Sequence, residues 1–130
     1  MGDLTAAMNA AASGMQAQSA RLRLSTENIA NADTPGYRRK TVSFEETMGM
    51  FGDSRAVATG PVQLSRAELV RIHDPSHPMA GPDGYYESSN VDLVIEIADA
   101  REAGRSYEAN LRMFDQARQM AGSILELLRR

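Results

Sequence analysis

The stretch "ENIANADTPGYRRK", Glu27 to Lys40, decides how this chain is organised. Residues before it carry a long helical spacing, and the helix must end within it. Asn and Asp side chains compete for backbone hydrogen bonds, so they favour caps and turns over helix interiors. Asn31 is expected to close the helix in the left-handed conformation. Pro35 excludes helix at Thr34 and sets the first corner of a turn, and Gly36 supplies the positive φ of a type II turn. These rules account for Asn31 to Gly36. They leave Tyr37, Arg38, Arg39 and Lys40 open to two readings. One is a solvated basic run. The other is a set of anchors aimed at a neighbouring subunit, where Tyr and Arg are favoured.

Working outward, Leu4, Met8, Ala11, Met15, Gln18, Leu22, Ser25 and Ile29 are spaced alternately four and three apart. That is a heptad seam, with Asp3 as its expected N-cap. The last third repeats the spacing at Leu93, Ile97, Ala100, Gly104, Tyr107, Leu111, Phe114, Arg118, Ala121, Leu125 and Leu128. Val94, Ala98, Ala117, Ile124 and Leu127 widen it. Ser89 to Asp92, "SNVD", fits a capping box in which the Ser hydroxyl serves an N–H three residues on. All five prolines fall between Pro35 and Pro82. In that middle, "KTVSF", "GPVQL" and "ELVRIH" suit short strands, and "DPSHPMAGPDGYY" is dense in turn formers. The expected fold is mainly α: long N- and C-terminal helices pairing as a coiled coil around a small irregular or β-containing insert. The segments are 1–34, 35–88 and 89–130. The seams pair with each other or pack on other chains.

Composition narrows the function. Leu, Ile, Val and Phe make up 24 of the 130 residues. At under about a fifth of the chain, such a content supports only a small core. Fourteen Lys and Arg stand against seventeen Asp and Glu, a net charge of −3, so there is no electrostatic case for a nucleic-acid partner. The absence of cysteine excludes disulfides, thiolate metal sites and a Cys nucleophile. No apolar run approaches the roughly 18 residues of a membrane span, and the N-terminus lacks the pattern of a cleaved signal peptide. The protein therefore either stays in the cytoplasm or leaves by a route that reads no such peptide.

The residues show no catalytic constellation, and no cofactor, metal or small-molecule substrate is expected. "GPDGYY" lacks the lysine and following helix of a phosphate loop. His73 and His77 flank Asp74, but Pro75 and Pro78 prevent the helix that would put both rings on one zinc; a rigid turn carrying polar rings is the expectation. Gln18 and Arg118 sit in otherwise apolar seams, where polar groups set register or the Arg head reaches solvent.

"ENIANADTPGYRRK" after an Ala- and Met-rich helix resembles the N-terminal signature of the flagellar rod, hook and hook-filament junction family. "SNVDLVIEIADAREAGRSYEANLRMFDQARQMAGSILEL" is similar to its C-terminal helix. "IHDPSHPMAGPDGYYESSNVDL" is similar to the stretch found in the proximal-rod members, with Ser88-Ser89 where a proline is expected before the Asn-Val pair. These segments cover about two thirds of the chain.

The resemblance implies a structural subunit of the basal-body rod, not an enzyme. It implies export through the flagellar type III apparatus without a cleaved signal, and assembly in the periplasm into a helical shaft that carries torque. The implied partners are other rod subunits, the membrane (MS) ring and basal-body proteins, the export apparatus and copies of itself. The expected assembly interface comprises Leu4, Met8, Ala11, Met15, Leu22, Ile29, Asn31, Tyr37, Arg38, Arg39, Leu93, Ile97, Tyr107, Leu111, Phe114, Ala121, Leu125 and Leu128. Ala10, Ala11, Ala12, Gly14 and Ala17 permit close helix approach. A cytoplasmic coiled-coil adaptor or chaperone-like module is the rival reading.

Overall fold

The computed structural model describes residues 2–48 and 55–129. Helix α1 spans Gly2–Ala30 and helix α2 spans Leu93–Leu128. Between them lie β1 (Lys40–Thr41), β2 (Phe44–Met48), β3 (Arg55–Thr59), β4 (Gln63–Leu64), β5 (Arg71–His73) and β6 (Tyr85–Glu87). The fold is mainly helical, two terminal helices packed together with a small strand-containing insert, as the periodicity predicts. The helices run antiparallel. Gly14 lies against Asn110, and Arg21 reaches Asp99 and Glu102, each at 3.3 Å. At 1.5 Å per residue α1 is about 44 Å long and α2 about 54 Å, so α2 continues about two turns beyond the start of α1.

The local signals act partly as expected. The Tyr37 N–H donates to the Thr34 carbonyl at 3.1 Å and Gly36 has φ 76°, closing the Thr34–Tyr37 turn. Asn31 is not left-handed, since no described non-glycine residue has positive φ. Its Nδ2 instead donates to the Glu27 carbonyl at 2.9 Å, so the side chain caps the helix without the Cβ penalty of that conformation. Asp3 lies inside the first turn of α1 rather than at its cap, where its carboxylate suits the positive end of the helix dipole. The cap of α2 is Asp92, accepting from Val94 N at 3.0 Å. Ser89 does not form the expected capping box. It is buried, and its hydroxyl donates to the Ala32 carbonyl at the other helix's end.

The insert forms three two-stranded antiparallel sheets, β1–β4, β2–β3 and β5–β6. The first two belong to one bent hairpin. Lys40 pairs with Leu64 and Thr41 with Gln63, whereas Phe44 pairs with Thr59. Two residues separate Thr41 from Phe44, and three separate Thr59 from Gln63. The extra residue makes a bulge at Gly60–Val62, where Pro61 has no N–H for the ladder. The bulge turns β3 onto α1, and the Val57 N–H donates to Ser13 Oγ at 3.0 Å.

The buried apolar residues are Ala11, Ala17, Leu24, Ala103 and Ala117, a core as small as the composition predicts. On α2 the inward line is Glu96, Ala103, Asn110 and Ala117, seven residues apart. The contact is close: a Cβ at Gly14 would meet Asn110 Oδ1 at 2.8 Å. Small residues, with Leu24 as the one large apolar side chain buried among the described residues, make most of the helix pair.

Candidate assembly interface

The segment after the Pro–Gly turn is gripped from both sides by asparagines. Asn28, buried in the last turns of α1, accepts from the Lys40 N–H at 2.9 Å and donates to the Lys40 carbonyl at 2.9 Å. Its amide thus pairs with Lys40 as a neighbouring strand would. Asn28 Oδ1 also accepts from the Tyr37 hydroxyl at 2.8 Å. From the α2 side, Asn90 Oδ1 accepts from the Arg39 N–H at 2.6 Å. Asn90 Nδ2 donates to the Ala67 carbonyl at 3.0 Å, and the Asn90 N–H donates to the Tyr37 carbonyl at 3.3 Å.

Charges complete the clamp. Arg39 Nε donates to Glu96, whose side chain is 0% exposed, and Arg39 Nη2 reaches Asp99 at 2.8 Å. Arg21 approaches Asp99 from α1. Asp99 therefore accepts from both Arg21 and Arg39, tying α1, the basic segment and α2 together. Lys40 pairs with Glu27 at 2.5 Å, and that hydrogen bond raises the lysine pKa above its usual value. Burial raises the Tyr37 pKa, with the Glu27 carboxylate adding to it. Arg38 Nη1 donates to the carbonyls of Ser65 at 3.1 Å and Ala67 at 3.2 Å.

The expected interface residues therefore fall into groups. Tyr37, Arg38, Arg39 and Asn31 make bonds within the subunit, and Ala11 is buried against its own chain. Leu4, Met8, Met15 and Ile29 are half-buried and Leu22 is exposed. On α2, Phe114 and Ala121 are half-buried, while Leu93, Ile97, Tyr107, Leu111, Leu125 and Leu128 are exposed. Ile97, Leu111 and Leu125 lie one residue beyond the inward line, a rotation of about 100° on a helix of 3.6 residues per turn, and Leu93, Tyr107 and Leu128 lie at the position four beyond it, about 40° round. The large apolar stripe of α2 thus lies beside its contact with α1 and is left largely exposed. Arg118 points outward, 3.8 Å from Asp115, while Gln18 Oε1 is buried without a partner among the described residues.

The sequence pattern gives no role to Asn28, Asn90 or Glu96, and it marks Ser89 only as a helix cap. The available signal was Asn28, a poor interior helix former placed inside the helix.

The two histidines stack on tyrosines of the β5–β6 hairpin. His77 lies parallel to Tyr86 at 3.8 Å, and His73 meets Tyr85 edge-on at 4.7 Å. No group of three or more metal-binding side chains is gathered among the described residues.

Comparison with known proteins agrees with this architecture. Residues 8–38, most of α1 and the turn into the clamp, match the family described as Flagella basal body rod protein. Residues 83–127, from the end of the β5–β6 hairpin through almost all of α2, match the Flagellar basal body rod FlgEFG protein C-terminal family. The flagellar basal-body rod protein FlgC of Agrobacterium fabrum is 42% identical over 99% of this chain and 98% of its own length. The chain belongs to the flagellar basal-body rod family. The FlgC proteins of Salmonella typhimurium and Bacillus subtilis are 32% and 30% identical, covering 90% and 92% of this chain and 92% and 95% of their own lengths. This family membership makes the chain a structural rod subunit, and the two family matches fall on the two halves that the clamp joins.

Proposed function

We propose that this subunit is built into the proximal part of the flagellar rod, in the periplasm, and helps carry torque from motor to hook. It arrives through the flagellar type III export apparatus without a cleaved signal and acts without catalysis. Its neighbours are copies of itself, other rod subunits and proteins of the membrane ring and basal body. The observation that carries this reading is the exposed apolar stripe of α2, from Leu93 to Leu128. A contiguous exposed apolar row of that length is characteristic of an interaction surface. Packing it on neighbours in a helical array buries what one chain cannot.

In this reading Leu93, Ile97, Tyr107, Leu111, Leu125 and Leu128 make the main contacts. Leu4, Met8, Met15, Leu22 and Ile29 contribute from α1, and Phe114 and Ala121 at the margin. Asn31, Tyr37, Arg38 and Arg39 serve the interface by holding the helix pair that presents it. The test is Leu111→Asp, scored by swimming and by recovery of rods from cells that produce the variant. The reading expects a folded subunit, no rods and no motility. Normal motility would contradict it.

A further inference from the structure

Beside the clamp, Arg38, Arg39, Thr41, Gln63, Leu64, Ser65 and Arg66 line an open cleft of about 930 Å³. Among the described residues no carboxylate lines it, although the chain as a whole is acidic. The three arginines differ in their engagement. Arg39 is held by Glu96 and Asp99. Arg38 is anchored through Nη1 on two backbone carbonyls, which fixes its guanidinium plane without neutralising its charge. Arg66 is exposed and bonds to no described residue. A fixed guanidinium beside a free one suits bidentate capture of carboxylates. Next to them Val62 and Leu64 are more than half exposed, giving the charged cleft an apolar rim.

We infer that this cleft is a docking site for an acidic protein segment of a neighbouring subunit, whose carboxylates meet Arg38 and Arg66 while an apolar residue covers Leu64. The inference rests on the rod-subunit reading for its setting. The chemistry favours a protein over a polyphosphate. The cationic wall is short, the rim is apolar, and the net charge of −3 would repel an extended polyanion. The site also explains the internal bonds of Arg38, which aim a charged group that the fold itself does not neutralise.

The test uses basal bodies isolated from cells in which Gln63 is replaced by photo-crosslinking benzoylphenylalanine. The captured peptide is sequenced by mass spectrometry. The expected product is a segment of a neighbouring subunit bearing clustered Asp or Glu. Adding Arg66→Glu should lower its yield about tenfold, as loss of a desolvated charge pair does, while Arg66→Lys should largely preserve it. Arg66 bonds to no described residue, so neither change is expected to disturb the fold. Capture of a segment without carboxylates, no capture, or a yield indifferent to Arg66→Glu would overturn the inference. A second probe at exposed Met113, beside the α2 stripe, separates this result from the larger reading. If Met113 captures neighbours and Gln63 does not, the docking site fails and the rod-subunit reading stands. If the protein is absent from basal bodies, both fail.

Discussion

The two ends of the helical hairpin are built on different principles. At the junction end, Asn28, Asn90, Arg21, Arg39, Glu96 and Asp99 tie α1, the basic segment and α2 into one network, with Glu96 and Asn28 buried. At the far end, Leu125 and Leu128 are 51% and 74% exposed, on turns that outrun α1. Polar groups hold the junction end together, although Leu93 and Ile97 beside them are exposed, and the far end has no such network and leaves its apolar residues open. The contrast shows that a subunit for a polymer need not place its apolar residues in its own interior. Directional bonds set its shape, and the hydrophobic surface remains for assembly.

The junction end should be weakened most by Glu96→Ala. It takes the buried carboxylate from Arg39, which keeps only Asp99, and should cost about 3 kcal/mol of subunit stability, the upper end for a hydrogen bond between charged groups. Denaturant unfolding of the isolated subunit measures it. Asn28→Ala ranks next. It removes three hydrogen bonds and orphans the Lys40 backbone, for a loss of about 2 kcal/mol; Asn28→Asp, which keeps the acceptor and loses the donor, should fall between that variant and wild type. Gly36→Ala places a Cβ at φ 76° and should cost about 1 kcal/mol. By contrast, Leu125→Ser with Leu128→Ser should change subunit stability by less than about 0.5 kcal/mol, as exposed substitutions do, yet stop rod assembly in cells.

The finest effect is local and lies in the β5–β6 hairpin. Asp74 is held below the ordinary carboxylate pKa of 3.8 first by the Ser76 hydroxyl, and Asp83 first by the Tyr85 N–H, with Arg71 assisting. Groups whose folded pKa is depressed stabilise the structure above the unfolded value and lose that contribution as pH falls through the folded one. Titration from about pH 5 to pH 2 should therefore shift the Tyr85 and Tyr86 ring signals by NMR before the helical signal changes. Simultaneous loss of both would show that the hairpin is not an independent unit.

Much of this was legible in the sequence, and the illegible part has a consistent cause. Both helices follow from period, and the Thr34–Tyr37 turn follows from Pro35 and Gly36, because those signals are local. The inward face of α2 was hidden because reading periodicity favours large residues. The line that touches α1 runs through Ala103 and Ala117 and the polar Glu96 and Asn110, next to the stripe of Leu and Ile. The roles of Asn28 and Asn90 depend on a segment nine to fifty-three residues away, so no spacing rule reveals them. Ser89 looked like a helix cap from its neighbours, but it is drawn to the carbonyl of Ala32 once the two helix ends meet. Strand β3 was missed because "RAVAT" has little apolar alternation; its place is set by Ser13 on α1.

The most direct test of the central contrast is amide hydrogen exchange along both helices of the dilute subunit. The account predicts strong protection around Leu24–Asn28 and Glu96–Ala103, falling to almost none at Leu125–Leu128, and protection along the whole of α2 in isolated basal bodies. Equal protection of both ends in the free subunit, or a far end more protected than the junction, would contradict it.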